Sequence, residues 1–349
     1  MVDLQVYDSK IFNKAEATAK IIKEYQTCGS VQITTNRSEG PCCRSLGLYQ
    51  LLDSICDIFN FDKSKITILT GNLEEYHPDY CIEINESSNM HWVHYTQNSI
   101  GNHAITKLTL PKKLFGCLFN TPTWHRLCLL SHISRLENDS VRLCNPTWDI
   151  AYNRVWLDPI ATECPNELSD ILRLIDKVKH HTIPLDKNNF NPFDIVELYE
   201  DFFVEIVSET FVTGITFYPT EKSIRPMALC TPFIHMGPVG FLSNLKNRYG
   251  FKTFSAWWDE SYDLIYDPEA RAAALHASIK EVLSRPISEL DQLIRDHSHI
   301  LKHNQQRFRE LAELRPKYLW VEMYNAKSLG YADRTILTQL KEPNEHIKI

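Results

Sequence analysis

The first third of the chain alternates between short apolar runs and stretches with apolar residues at helical spacing. Runs of strand length cover residues 31–35, 66–70 and 80–84, and residues 46–59 have the spacing of a helix. A weakly amphipathic helix is expected within residues 1–27. Strands that alternate with helices in this way predict an α/β fold.

The later part of the chain continues the pattern. A strand is predicted at 114–119, and the apolar stretch 127–133 predicts the helix that follows it. A helix is expected over 268–284, because Asp267 is a suitable N-cap and is followed by a proline. Another helix is expected to start after Pro286.

Residues 202–263 hold the clearest unit of the sequence. Residues 202–207 and 231–236 are apolar runs of strand length, and residues 220–222 open a helical segment between them. Pro226 interrupts that segment, so the helix is predicted either to kink there or to start later. The pattern predicts a strand, helix, strand unit.

The start of this helix is where the sequence places its main binding chemistry. Thr220 is a suitable N-cap, which puts Glu221 and Lys222 in the first turn, beyond the carboxyl end of the preceding strand. Ligands of open α/β sheets bind at that edge. A helix N-terminus and a lysine attract phosphate, and a carboxylate can accept hydrogen bonds from a ribose. The alternative is that Glu221 and Lys222 form an ordinary charge pair on the surface.

Composition narrows the class of protein. At 349 residues the chain is long enough for two domains, and 43% hydrophobic with 23% charged residues is typical of soluble globular proteins. The 10 cysteines form no C-x-x-C pair, and no apolar run approaches the roughly 20 residues of a membrane helix. We therefore expect a cytoplasmic protein with no membrane partner and no metal site. The net charge of −7 argues against tight binding of duplex nucleic acid.

The acidic and aromatic residues near the end of the 202–263 segment are expected to be structural. Asp259, Glu260 and Asp263 lie in W-W-D-E-S-Y-D, which is too bulky for a cation site, so capping and surface roles are favoured. Trp257 and Trp258 are expected in the core rather than on a ligand.

The segment around residues 220–222 resembles a known block. Glu209, the T-E-K run, Arg225 and the apolar strand leading to Gly237 are similar to the donor-binding block of fucosyltransferase-like GT-B glycosyltransferases. Two features depart from it: Thr210 stands where the block has an asparagine, and the loop before the T-E-K run is longer. The combination of T-E-K-x-x-R-P with G-F-K-T-F is closer still to uncharacterised glycosyltransferase-like proteins of phages and bacteria.

The resemblance implies an architecture and a donor site. It implies an α/β, GT-B-like fold with two Rossmann-like domains, in which residues 1–110 form the acceptor side and 111–285 bind the nucleotide-sugar donor. Helices over 286–349 would pack back across the domains. The donor-binding residues that it implies in this block are Glu209, Thr220, Glu221, Lys222 and Arg225.

A second short element resembles the same family. Asn120 follows the predicted strand 114–119, and Arg126 stands at the start of the next helix. In the family, such an Asn…Arg element reaches the donor phosphates. A guanidinium is permanently charged and can bind phosphate in a bidentate manner. The resemblance therefore adds Asn120 and Arg126 to the donor site.

Glycosyl transfer also needs a base that deprotonates the acceptor, and the first domain is expected to supply it. Glu39 lies on a turn-rich loop after a strand and is the first candidate, with Glu86 as its rival. Each could equally be an ordinary loop acid. His91, His94 and His125 are further candidates.

These features predict an inverting, metal-independent glycosyltransferase that uses a GDP- or UDP-linked sugar as substrate and needs no cofactor. The acceptor stays open between a glycan and a modified DNA base. A nucleotide-binding or structural protein of the same fold without catalysis is the main alternative. A phosphotransferase is disfavoured, because the sequence lacks the G-x-x-x-x-G-K-[ST] loop and the Gly-rich loop of kinases.

Overall fold

The computed structural model describes residues 1–4, 6–7, 10–11, 13–35, 40–100, 113–118, 123–134, 141–144, 161, 165–173, 196 and 198–314. Within these ranges the chain forms two four-stranded parallel sheets, a two-stranded hairpin and several α-helices.

The first sheet comes from the N-terminal part of the chain. Its strands, with the hairpin, are β1 (Val2–Leu4), β2 (Val6–Tyr7), β3 (Lys10–Ile11), β4 (Val31–Thr35), β5 (Ile66–Thr70) and β6 (Cys81–Ile84). The sheet has the order β1-β4-β5-β6 with every pair parallel, and β2 pairs with β3 as the hairpin.

Two helices connect the first three strands of this sheet. They are α1 (Lys14–Cys28), which contacts β1 and β4, and α2 (Leu48–Phe59). Asn13 caps α1 by accepting a hydrogen bond from the backbone N–H of Glu16 at 3.1 Å. Ile21 of α1 and Leu52 of α2 are completely buried together with Ile33 of β4, which explains their helical spacing in the sequence.

The second sheet is also parallel. Its strands are β7 (Lys113–Leu118), β8 (Val141–Cys144), β9 (Phe202–Ser208) and β10 (Phe233–Met236), in the order β8-β7-β9-β10. Every residue of β9 is buried, as is usual for a central strand covered on both faces. A glycine is needed at position 116 of β7, because the ring of Phe202 occupies the space that a Cβ would take.

Six further helices surround the second sheet. They are α3 (Glu86–Ile100), α4 (Trp124–Ser134), α5 (Glu221–Ala228), α6 (Phe241–Tyr249), α7 (Pro268–Ser284) and α8 (Ile287–Glu313). Helix α8 packs on α5 and α3, and α3 also packs on α5. Helix α3 thus contributes to the core of the second sheet, although it follows the last strand of the first.

The predicted α/β class, with two Rossmann-like parallel sheets, is confirmed. Helix α7 has the predicted bounds, with Asp267 as its N-cap. Helix α5 starts at Glu221, as first predicted, and contains Pro226, which lacks the N–H that would bond to Lys222; the helix ends two residues later. The predicted domain boundaries stay predictions.

The expected structural roles of the W-W-D-E-S-Y-D segment are also confirmed. Asp263 accepts hydrogen bonds from the backbone N–H groups of Leu242 at 2.9 Å and Ser243 at 3.2 Å, so it caps the start of α6. Trp257 and Trp258 are buried in the core.

Asn72 joins the two sheets. It follows β5 and is completely buried. Its Oδ1 accepts from the backbone N–H groups of Glu74 at 3.0 Å and Phe217 at 2.9 Å, and its Nδ2 donates to Glu75 Oε2 at 3.1 Å and to the carbonyl of Ile215 at 3.2 Å. One side chain therefore fixes the loop after β5 to the loop that leads into α5.

Candidate functional site

The second sheet contains a topological switch point. The strand β8 pairs with β7 on one side of β7, whereas the later strands β9 and β10 lie on its other side. The described strands thus follow the flavodoxin-like order 2-1-3-4, for which ligands bind outside the carboxyl ends of the first and third strands. In this chain those ends belong to β7 and β9, which lead towards α4 and α5.

A narrow cleft lies at this edge. Glu209, Thr210 and Phe211 line it just after β9, Thr216, Tyr218 and Thr220 line it from the loop before α5, and Pro238 and Phe241 line it after β10; Gly40 completes the lining. Gly40 follows β4, so the cleft lies between the carboxyl ends of both sheets. A Cβ on Gly40 would collide with the Tyr218 side chain, which explains why the loop has a glycine there.

Glu209 organises the floor of the cleft. It is 2% exposed, and its Oε1 accepts from the backbone N–H of Thr220 at 3.0 Å while its Oε2 accepts from the Thr220 hydroxyl at 2.7 Å. The Ser223 hydroxyl also donates to Oε1. The carboxylate therefore holds the start of α5 against the end of β9. Binding of the donor by Glu209 stays a prediction.

A buried relay of hydrogen bonds continues from Glu209 to His235. Ser223 Oγ lies 2.8 Å from His235 Nε2. Because the Ser223 proton goes to the carboxylate, His235 Nε2 must carry the proton that it donates to Ser223 Oγ. Burial, with the charge of Arg271, lowers the pKa of His235 to about 3, so the ring is neutral at physiological pH. In a nucleophilic triad the histidine lies between the serine and the acid. In this relay the serine lies between the histidine and the acid, so the arrangement is not a nucleophilic triad.

Lys222 supplies the cation nearest to Thr220. Its Nζ donates to the Thr220 hydroxyl at 3.2 Å and to Glu221 Oε1 at 2.9 Å, and its side chain is 15% exposed. Burial alone would raise the pKa of Glu221, but the charges of Lys222 and Arg225 outweigh it and lower the pKa to about 2. The pair lies at the helix start, as predicted, and it forms the ion pair that the alternative interpretation expected, although it is half-buried. Donor binding by Thr220, Glu221 and Lys222 stays a prediction.

Arg225 lies one turn further along α5. Burial acts to lower its pKa, but Tyr199, Glu205 and Glu221 raise it, so the guanidinium stays charged. Its Nε has no hydrogen-bond partner within the described residues. The structure thus places Arg225 among acidic groups beside the first turn. A contact with donor phosphate stays a prediction.

Arg126 lies on the other side of the switch point. It is 3% exposed, and its guanidinium donates to the carbonyls of Ser208 at 3.2 Å and Glu209 at 3.4 Å. It therefore binds the carboxyl end of β9 directly, a structural role that the sequence did not indicate. Binding of donor phosphates by Arg126 stays a prediction.

His125 is placed differently from a catalytic base. Its Nε2 lies 3.0 Å from both the Glu209 carbonyl oxygen and the Thr123 hydroxyl, so this nitrogen is already occupied by buried groups of the protein. The ring is 2% exposed, and burial together with the Arg126 charge lowers its pKa to about 3. Both facts argue against His125 as the base.

Three of the remaining candidates cannot be placed in the cleft. Glu39 and Asn120 lie outside the described residues, and Glu86 is the first residue of α3 but its side chain is outside the described part. Their roles as base and donor ligand stay predictions.

Four structural residues around the cleft were missed in the sequence. Ser223 and His235 form the relay, Asn72 joins the loops, and Tyr218 lines the cleft and accepts a hydrogen bond from the Trp92 indole at 3.1 Å. A polar residue within a buried apolar strand, as at His235, was a signal that could have been used.

The buried histidines make stability depend on pH. Since the pKa values of His125 and His235 are about 3, against about 6.5 in an unfolded chain, the unfolded state binds more protons below pH 6.5. Stability is therefore complete above that pH and falls as pH falls towards 3. Between pH 7.5 and 5.5 we expect a loss on the order of 1 kcal/mol for each histidine.

Urea unfolding at the two pH values measures this loss. His235→Gln should remove the part of the pH dependence that this ring contributes, on the order of 1 kcal/mol, whereas the same change at the exposed His299 should leave the pH dependence intact. A wild-type midpoint that is equal at both pH values would contradict the neutral state of these rings.

Comparisons with known proteins add little to this geometry. No family model and no curated protein matches the chain. One solved structure, described as "Trehalose-6-phosphate from E. coli bound with UDP-2-fluoro glucose", is 11% identical, with 87% of this chain and 77% of that chain covered and a TM-score of 0.34. At these values the likeness assigns no activity to the chain.

The residues that the structure describes contain no group of three or more His, Cys, Asp or Glu side chains placed to hold a metal ion. None of their helices has the length and apolar character needed to cross a membrane.

Proposed function

We propose that the chain is a glycosyltransferase that binds a nucleotide-sugar donor in the cleft at the switch point and transfers the sugar to an acceptor. The observation that carries the proposal is the meeting of Lys222, Thr220 and the start of α5 beside a cleft lined from the ends of both sheets. A parallel sheet binds nucleotides at that place, and a transferase needs a second unit opposite it to exclude water.

The electrostatics of the cleft suit a diphosphate leaving group. The Lys222 ammonium lies at the positive end of α5, and Glu221, which pairs with it now, can release it to a more highly charged phosphate. Three of the N–H groups at the start of α5 already have acceptors within the protein: that of Thr220 donates to Glu209 at 3.0 Å, that of Lys222 to the Thr220 hydroxyl at 3.3 Å, and that of Ser223 to the Thr220 carbonyl at 3.1 Å. We therefore propose that the lysine, rather than free amides, provides most of the attraction.

The finer parts of the proposal rest on the sequence resemblance. It supports an inverting reaction without metal, a GDP- or UDP-linked donor and an acceptor that is a glycan or a modified DNA base. The absence of a D-x-D motif from the sequence supports charge neutralisation by side chains instead of a cation.

A thermal-shift screen tests the proposal. GDP, UDP, CMP and their sugar conjugates are added without metal, and a ligand at about 100 times its dissociation constant should stabilise the protein by about 2.7 kcal/mol. Stabilisation by one nucleoside diphosphate and its sugar conjugates is the expected result. A screen in which none of them stabilises the protein would contradict the proposal.

The base can be tested once the donor is known. We expect Glu39→Gln to retain donor binding and to lose turnover by about a hundredfold or more, because general-base catalysis contributes that much. The same change at Glu86 serves as the comparison. Donor consumption is measured as release of the nucleoside phosphate. Full turnover in Glu39→Gln with loss in Glu86→Gln would move the base to Glu86.

A further inference from the structure

A cluster of aromatic side chains on α3 is linked to the wall of the cleft by one hydrogen bond. Trp92 makes an edge contact with His91, with ring centroids 4.9 Å apart and planes at 72°, and another with Tyr95 at 5.7 Å and 78°. All three rings are half-buried. We call Trp92 with its two neighbours the α3 aromatic cluster.

Trp92 is tied to the lining of the cleft by its polar atom. Its indole N–H donates to the Tyr218 hydroxyl at 3.1 Å, and Tyr218 lies in the cleft wall with Gly40 and Thr220. Helix α3 begins after the carboxyl end of β6, which is the same edge of the first sheet at which the loop with Gly40 follows β4. Helix α3 also packs on α5. The cluster is therefore next to the place where the donor would lie.

The geometry of Trp92 suits stacking. A tryptophan whose N–H is satisfied by the protein and whose ring is held by edge contacts presents a rigid surface at low entropic cost. Trp92 is half-buried, so part of its ring reaches the surface, whereas Trp257 is 1% exposed.

We propose that the α3 aromatic cluster is a stacking surface for a ring with an apolar face, either the nucleobase of the donor or a sugar of the acceptor. The inference rests on the proposed function, since it assumes a ligand in the adjacent cleft. It adds a recognition element from α3 to the cation and hydroxyl groups contributed by α5.

Binding assays on matched variants test the inference. Trp92→Ala, Trp92→Phe and, as the control, Phe59→Ala are titrated with nucleoside monophosphates, with oligosaccharides and with inorganic pyrophosphate. Phe59 is an exposed aromatic residue at the end of α2, near the amino end of β5 and thus at the opposite edge of the first sheet. Circular dichroism and urea unfolding verify that each variant is folded.

We expect Trp92→Ala to weaken one class of ring ligand by about five- to a hundredfold, the range found for base stacking on aromatic side chains. Trp92→Phe should restore most of the affinity, since it keeps an aromatic face. Pyrophosphate, which has no ring, should bind all variants equally. Loss with nucleotides would identify the nucleobase, and loss with saccharides would identify the acceptor sugar.

Other outcomes distinguish failure of the stacking surface from failure of the proposed function. If both ring classes bind Trp92→Ala as tightly as wild type, or Phe59→Ala loses as much affinity, the stacking surface is wrong while the proposed function stands. If the wild-type protein binds neither nucleotide, saccharide nor pyrophosphate, the proposed function fails and the inference fails with it.

Discussion

Glu209→Ala should destabilise the protein by roughly 3 to 5 kcal/mol, the range for breaking a buried charged network. The substitution leaves the Thr220 N–H, the Thr220 hydroxyl and the Ser223 hydroxyl without their acceptor in a buried site. Each unsatisfied buried donor costs about 1 to 3 kcal/mol, although the hydroxyls can turn to other partners. Equilibrium unfolding in urea at pH 7.5 measures the change.

Two further variants show whether the network is responsible. Glu209→Gln keeps the shape and one acceptor oxygen, so we expect about half of the loss. Glu269→Ala removes an exposed acid from the first turn of α7 and should cost about 0.5 kcal/mol or less. Equal stability of Glu209→Ala and wild type would mean that the hydrogen bonds at the floor of the cleft are not formed.

Asn72→Ala should cost about 2 to 4 kcal/mol, because one truncation removes four hydrogen bonds from a buried site. The substitution leaves the backbone N–H of Phe217 and the carbonyl of Ile215 without this hydrogen-bond partner. The loop that positions Thr220 is then held less firmly. Urea unfolding again gives the free energy, and protection of the 215–217 amides from hydrogen exchange should fall with it.

Asn244→Ala is the matched control for this prediction. The Asn244 amide bonds only within its own part of the chain, to the Gly240 carbonyl at 3.1 Å and to Arg248 at 2.9 Å, so its removal should cost no more than about 1 kcal/mol. If the two asparagine variants are equally stable, Asn72 does not join the two sheets as described.

The sequence was sufficient for the elements that have a strong local pattern, although β1, the β2–β3 hairpin and α3 were missed. The strand β9 was predicted from a nearly continuous apolar run because a central parallel strand is buried on both faces. The strands β4 and β5 were predicted from their β-branched residues. Thr220 and Asp267 marked the starts of α5 and α7 because capping is a local interaction that depends on a few neighbouring residues.

The packing between the units could not be read from the sequence, because it depends on contacts between distant residues. Asn72 bonds to Ile215 and Phe217 across a separation that no local pattern records. For the same reason Glu209 was recognised only through a motif, and its binding of Thr220 and Ser223 became visible only in the structure. Residue burial also changed the interpretation of His125, which the sequence alone left as a possible base.

Titration calorimetry of a nucleoside diphosphate against Lys222→Ala tests the central claim most directly. A charge-assisted hydrogen bond contributes about 1.5 to 3 kcal/mol, so we expect affinity to fall about tenfold to a hundredfold. Lys65→Ala, an exposed lysine at the amino end of β5 and away from the cleft, is the control and should bind like wild type. Tight binding that is lost in Lys222→Ala alone would place the diphosphate at the start of α5. Binding that is the same in all three proteins, or absent from wild type, would contradict the assigned site.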